Sequence, residues 1–89
     1  MDNDLMQELN VIINQTQIIA NIAPQSIEKV ICIKCIDVKN KLIKGENKIY
    51  IDVFGLSRRY ADEKGYSAPL LKNLEKLSEL LKRRNDRLG

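Results

Sequence analysis

The first part of the chain carries apolar residues at the spacing of an amphipathic helix. They recur at intervals of four, three, four and three residues, which puts them on one helical face together with one threonine: Leu5, Leu9, Ile12, Thr16 and Ile19. Asp4 is placed to cap the amino end. The pattern predicts a helix from about Asp4 to Ile22.

The opposite face of this predicted helix carries amides instead of charges. No Asp, Glu, Lys or Arg occurs from Leu9 to Ile27. Since a helix whose outer face meets water normally carries Lys and Glu there, we expect this helix to be covered on more than one side. In so short a chain the cover can be a second copy of itself, and the alternative is an ordinary core helix of a monomer.

Residues 29–54 support two interpretations, and the choice decides the fold class. As a β-hairpin, Val30–Asp37 and Lys48–Phe54 are strands joined through residues 39–47, with Gly45 in the turn. The second strand alternates with a period of two, with Ile49, Ile51 and Val53 on one face and Tyr50, Asp52 and Phe54 on the other.

The helical interpretation has its own support, because Ser26 follows Pro24 and apolar residues then recur at helical spacing up to Gly45. Those residues are Ile27, Ile31, Cys35, Val38 and Leu42. The many β-branched residues favour strands, so we favour the hairpin.

From Leu56 onward the pattern is helical again. A short helix from about Ser57 to Lys64 is closed by Gly65, a suitable left-handed cap. A long helix is predicted from a cap at Ser67 to about Asn85, with Pro69 in its first turn. Its apolar residues recur at intervals of four, three and four: Leu70, Leu74, Leu77 and Leu81.

Together these elements predict a single domain over residues 1–89 of the α+β class, mostly helical. Its order is an N-terminal helix, a β-hairpin, a short helix and a long C-terminal helix, and an all-α four-helix arrangement is the alternative.

Composition and charge narrow the classes of function. Hydrophobic residues make up 44% of the 89, enough for a core, and fifteen basic against twelve acidic residues give a net charge of +3. All basic residues lie from Lys29 onward. We expect no membrane span, because six amides and Pro24 interrupt the uncharged run. With two cysteines and no leader pattern, we expect a cytoplasmic protein.

Candidate catalytic chemistry is sparse. Histidine is absent and the four glycines are far apart, so we expect no enzyme, no cofactor and no metal. Cys32 and Cys35 have CxxC spacing, but a structural zinc needs four ligands and a redox pair needs a helix start. We expect buried structural cysteines, and a metal shared between two copies is the alternative.

Residues 57–76 resemble a helix-turn-helix unit, which needs a small residue between its helices, a glycine in the turn and apolar residues that seat the second helix. The residues that carry this resemblance are Ala61, Gly65, Tyr66, Ser67, Leu71 and Leu74. The resemblance implies that Arg58 and Arg59 approach DNA phosphates, and that the major groove faces Ala68, Lys72, Asn73 and Lys76. Several acidic residues in the same unit dilute its positive field.

The sequence therefore predicts a small non-enzymatic, homo-oligomeric interaction protein, such as a regulator, adaptor or inhibitor. Its partner surface is expected at Arg58, Arg59, Tyr60, Lys64, Lys72, Asn73 and Lys76. Its oligomer interface is expected at Leu5, Leu9, Ile12, Ile19, Leu70, Leu74, Leu77 and Leu81. The alternative is a DNA-binding transcriptional regulator that uses residues 57–76.

Overall fold

A computed structural model describes residues 3–88 of the chain, and the side chains of residues 3–87. Four helices follow one another: α1 (Asn3–Ile22), α2 (Ile27–Ile43), α3 (Val53–Lys64) and α4 (Leu70–Leu88). No strand occurs within residues 3–88. The predicted α+β class with its β-hairpin is therefore wrong, and the all-α alternative agrees with the structure.

Helix α2 replaces the first predicted strand. Ser26 caps it, since its Oγ accepts a hydrogen bond from the backbone N–H of Lys29 at 3.2 Å. The residues at helical spacing all face the core, namely Ile27, Ile31, Cys35, Val38 and Leu42. Burial of this face outweighs the weak strand preference of the β-branched residues, which depends on context.

The four helices form a ring in which each packs on two neighbours: α1 on α2 and α4, and α3 on α4 and α2. Side chains with no exposed surface come from three of them and meet at the centre: Leu9, Ile12, Ile31, Cys35, Leu74 and Leu77. In this ring α1 and α3 lie on opposite corners, so a surface on one is remote from a surface on the other.

The connection between α2 and α3 contains the second predicted strand. Its alternation is real, because Ile49 is 2% exposed whereas Tyr50 is 74% exposed. The neighbouring strand is replaced by one side chain: Asn85 Nδ2 donates to the Ile49 carbonyl at 2.9 Å, and its Oδ1 accepts from the Ile49 N–H at 3.2 Å. Arg84 donates to the carbonyl oxygens of Glu46, at 2.6 Å, and Asn47. Two residues of α4 thus hold this connection.

Helices α3 and α4 begin at other residues than the sequence suggests. Asp52 caps α3 by accepting from the Gly55 N–H at 2.9 Å, so the helix starts at Val53 instead of Ser57. Gly65 ends it with a φ of 96° and a ψ of 153°, so the expected positive φ is present but the conformation is not that of the left-handed helical cap. Helix α4 starts at Leu70, three residues after the predicted cap at Ser67.

Candidate functional site

An apolar groove opens to the surface between α3 and the start of α4. Its volume is about 430 Å³, and its lining consists of Phe54, Ser57, Arg58, Ala61, Tyr66 and Leu71. Phe54 is 80% exposed and Tyr66 is 78% exposed, while Ala61 is buried. We refer to this feature as the α3–α4 groove.

The local sequence explains how these side chains meet. Phe54, Arg58 and Ala61 are spaced by four and three residues, so they share one face of α3. Gly65 ends the helix, and Tyr66 then lies close enough for its hydroxyl to donate to Asp62 Oδ1 at 3.3 Å. This hydrogen bond holds the tyrosine at the mouth of the groove.

The predicted partner surface on α3 is divided among three environments. Arg58 lines the α3–α4 groove and is exposed. Arg59 lines a different cleft of about 420 Å³, between α2 and α3, together with Lys34 and Lys41. Tyr60 and Lys64 face α2 instead. The sequence therefore identified one residue of the groove on this helix, Arg58.

The α2-facing environment contains a buried carboxylate. Glu28 is 2% exposed and its Oε2 lies 3.5 Å from Lys64 Nζ, while Oε1 has no hydrogen-bond partner among the described residues. Partial burial, and then the charge of Glu28, raise the pKa of Tyr60. This cluster joins α2 to α3, and it lies outside the α3–α4 groove.

The cleft between α2 and α3 is lined by both signs of charge. Three basic residues line it with Asp37 and Asp52, and Lys41 Nζ pairs with Asp37 Oδ2 at 3.2 Å. Asp52 is engaged in capping α3. The near balance of charge makes this cleft a weaker candidate for an anionic ligand than its basic residues alone suggest.

The predicted partner residues on α4 do not form a uniform basic stripe. Lys72 and Lys76 are exposed and Asn73 is half-buried. Glu75 and Glu79 are exposed on the same helix. Phosphate binding needs a concentrated positive field, and these carboxylates reduce it.

The helix-turn-helix resemblance agrees with the structure in part. Ala61 and Leu74 are buried and Gly65 has a positive φ, as the motif requires. Tyr66, however, is 78% exposed and lines the α3–α4 groove, so it does not fill the turn, and α4 begins only at Leu70. The turn is therefore longer than the motif implies.

The predicted oligomer interface lies almost wholly inside the chain. Seven of its eight residues are no more than 5% exposed and belong to the core: Leu5, Leu9, Ile12, Leu70, Leu74, Leu77 and Leu81. Ile19 is 40% exposed. The leucine and isoleucine residues of α1 and α4 thus pack on each other in the core, and these buried residues offer no surface to a second copy.

The two cysteines are free and buried, as expected. Burial, and secondarily the neighbouring Cys32, raise the pKa of Cys35 to about 12. Such a thiol stays protonated at neutral pH and is a poor nucleophile and metal ligand. Within the part of the chain that the structure describes, no three His, Cys, Asp or Glu side chains are grouped to hold a metal ion.

Comparison with protein-family models, curated proteins and solved structures found no match to this chain. Among residues 3–88, no helix is both long and apolar enough to cross a bilayer.

Sequence reasoning missed both aromatic residues of the α3–α4 groove as site residues. Phe54 was assigned to a strand, on the face shared with Tyr50 and Asp52, and Tyr66 was assigned to the turn as an apolar residue. The available signal was the spacing of Phe54, Arg58 and Ala61, which becomes visible only once α3 is extended back to its cap at Asp52.

Proposed function

We propose that this protein is a non-catalytic binding module that holds an apolar segment of another protein in the α3–α4 groove. The observation that carries the proposal is the pair of exposed aromatic side chains, Phe54 and Tyr66, beside a buried apolar floor. Aromatic and arginine side chains are enriched where proteins bind one another, and Arg58 lines the same groove as the two rings.

Burial of Phe54 alone provides a useful driving force. An aromatic side chain buries roughly 150–250 Å², and four-fifths of Phe54 is exposed. Covering it would contribute at most about 1.5–3 kcal/mol before the entropy lost on association. The volume of the groove suits one or two apolar side chains, and the occupant that we propose is an amphipathic helix that inserts an apolar anchor.

Charge defines a second feature of the occupant. Arg58 makes no ion pair with any residue whose side chain the structure describes. An acidic residue one helical turn from the apolar anchor would pair with it and fix the direction of the bound helix. We therefore propose an apolar anchor followed or preceded by Asp or Glu as the recognised pattern.

The test is selection of a displayed library of random peptides against the whole protein. We expect enriched peptides with an apolar–acidic pattern, and at least a tenfold loss of affinity for the variant that combines Phe54→Ala with Tyr66→Ala. Tyr50→Ala is the matched control, because Tyr50 is 74% exposed and lies outside the groove. Its affinity should equal that of the unmodified protein.

Two outcomes would contradict this function. One is an absence of enriched peptides. The other is enrichment of peptides that bind the double variant as tightly as the unmodified protein.

DNA binding is the second candidate, supported by three exposed basic residues of α3 and α4, Arg58, Lys72 and Lys76. Retention on duplex DNA at low salt would support it, provided that retention weakens with added salt and with Arg58→Ala plus Lys72→Ala. We also propose a cytoplasmic location, since the two free cysteines suit a reducing compartment.

A further inference from the structure

We propose that the outer face of α1 is the contact through which two copies of this chain associate. Val11, Ile18 and Ile22 are separated by seven and four residues, so they form one stripe along the helix. Ile18 is 67% exposed and Ile22 is 78% exposed, with Ile19 beside them at 40%. This stripe differs from the predicted interface, most of which is core.

The absence of charged side chains from the outer face of α1 favours a second copy of this chain as the partner that binds there. No charged residue occurs from Leu9 to Ile27, and the exposed polar residues beside the stripe are amides: Asn14, Gln15, Gln17 and Asn21. The chain as a whole carries +3, and its basic residues begin at Lys29. Two identical neutral faces can meet without the repulsion that two basic faces would suffer. Amides both donate and accept, so they can pair with their own copies across a two-fold axis.

A charged partner would gain little at this face. Nucleic acid and acidic proteins bind through Lys and Arg, which the outer face of α1 lacks.

The size of the stripe sets the expected strength. From Val11 to Ile22 the stripe is only about 17 Å long at 1.5 Å per residue, so we expect it to bury less than the roughly 800 Å² per partner of a stable interface. We therefore expect a reversible dimer with a dissociation constant on the order of 10 µM.

The contact is independent of the α3–α4 groove, because α1 and α3 lie on opposite corners of the ring. Either proposal can fail while the other holds. Peptide selection tests the groove, and a mass measurement without any peptide tests α1.

The experiment is sedimentation equilibrium of the full chain between about 1 and about 500 µM. The mass is expected to rise from that of one 10.2 kDa chain toward twice that value. Ile18→Glu should weaken association at least tenfold. Ile43→Glu is the matched control, because Ile43 is also 67% exposed but lies at the end of α2.

A second variant guards against an effect on folding. Gln15→Lys removes no apolar side chain but brings two positive charges into the contact, so it should also weaken association at least tenfold. Circular dichroism of each variant checks that the helices are retained. The proposal is overturned if the unmodified chain keeps a single-chain mass at the highest concentration. It is equally overturned if Ile18→Glu and Gln15→Lys associate normally, or if Ile43→Glu dissociates the dimer as well as Ile18→Glu does.

Discussion

Asn85→Ala is expected to destabilise the protein far more than the loss of a surface amide normally would. The Asn85 side chain makes two hydrogen bonds with the backbone of Ile49, one in each direction. Each contributes about 0.5–1.5 kcal/mol net, and their loss leaves a partly buried N–H and carbonyl unpaired. We therefore expect the free energy of unfolding to fall by about 1–3 kcal/mol, a large share of the stability of a small domain.

Urea denaturation followed by circular dichroism measures this loss. The midpoint should fall while the slope stays constant, since the core is unchanged. Asn85→Asp separates the two hydrogen bonds, because a carboxylate can accept a hydrogen bond from the Ile49 N–H but cannot donate one to the Ile49 carbonyl. It should therefore recover only part of the stability. Asn40→Ala is the matched control, as Asn40 is an exposed residue of α2 whose side chain makes no hydrogen bond with described residues.

The reasoning would be refuted if Asn85→Ala lost no more stability than Asn40→Ala. In that case the burial of Ile49 alone would hold the connection, and the hydrogen bonds to Asn85 would be energetically neutral.

Three further predictions concern the cap of α3, the buried thiol and the buried carboxylate. A Cβ on Gly55 would collide with the Asp52 carboxylate, so Gly55→Ala should displace this cap and lose about as much stability as the better helix propensity of alanine gains. In the Asp52→Ala background there is no cap to lose, so Gly55→Ala should raise the free energy of unfolding by about 0.5–1 kcal/mol, which a double-mutant cycle measures. Burial raises the pKa of Cys35 from 9.0 to about 12, so the thiol ionises at a lower pH in the unfolded chain than in the folded one. The free energy of unfolding should therefore fall between pH 9 and 12. Cys35→Ala should show a smaller fall over this range, and an equal fall would contradict the raised pKa of Cys35. Lys64→Met should cost about 1–2 kcal/mol, allowing for the exposure of Lys64, because it leaves the Glu28 carboxylate without its cation. Adding Glu28→Gln should recover most of that loss, and urea denaturation that shows no recovery would count against the ion pair.

The sequence predicted the helices whose apolar residues keep one strict period. Helix α1 was predicted from about Asp4 to Ile22 and lies at Asn3–Ile22, and the leucine residues of α4 are buried as their spacing indicates. Helix α2 was only the less favoured alternative, although its residues had helical spacing after Ser26. The strand preference of its β-branched residues was given more weight than the helical spacing of its apolar residues. That preference depends on context, and it was the weaker guide.

The connection before α3 shows why a correct pattern led to a wrong element. Ile49 and Val53 are buried and Tyr50 is exposed, as the alternation predicts. The partner of this extended segment is the side chain of Asn85, 36 residues later in the chain. Nothing in the local sequence indicates that an amide, instead of a second strand, satisfies the backbone of Ile49.

Helical periodicity alone does not show whether an apolar face is buried within its own chain or against a second chain. The seams of α1 and α4 were predicted to meet a second copy, but they are buried in the chain's own core, where α1 packs on α4. For the site, Arg58 was predicted and Phe54 was not, because its role depends on where α3 begins.

The position of Arg84 and Asn85 makes the last turns of α4 a condition for order in the middle of the chain. Four hydrogen bonds between these two adjacent residues and the backbone of Glu46, Asn47 and Ile49 hold that segment, which leads directly into α3. A protease that removed these turns would therefore release Ile49 from the core and loosen the helix that carries Phe54 and Arg58. Loss of the last turns of α4 would thus disturb the α3–α4 groove, although those turns do not line it.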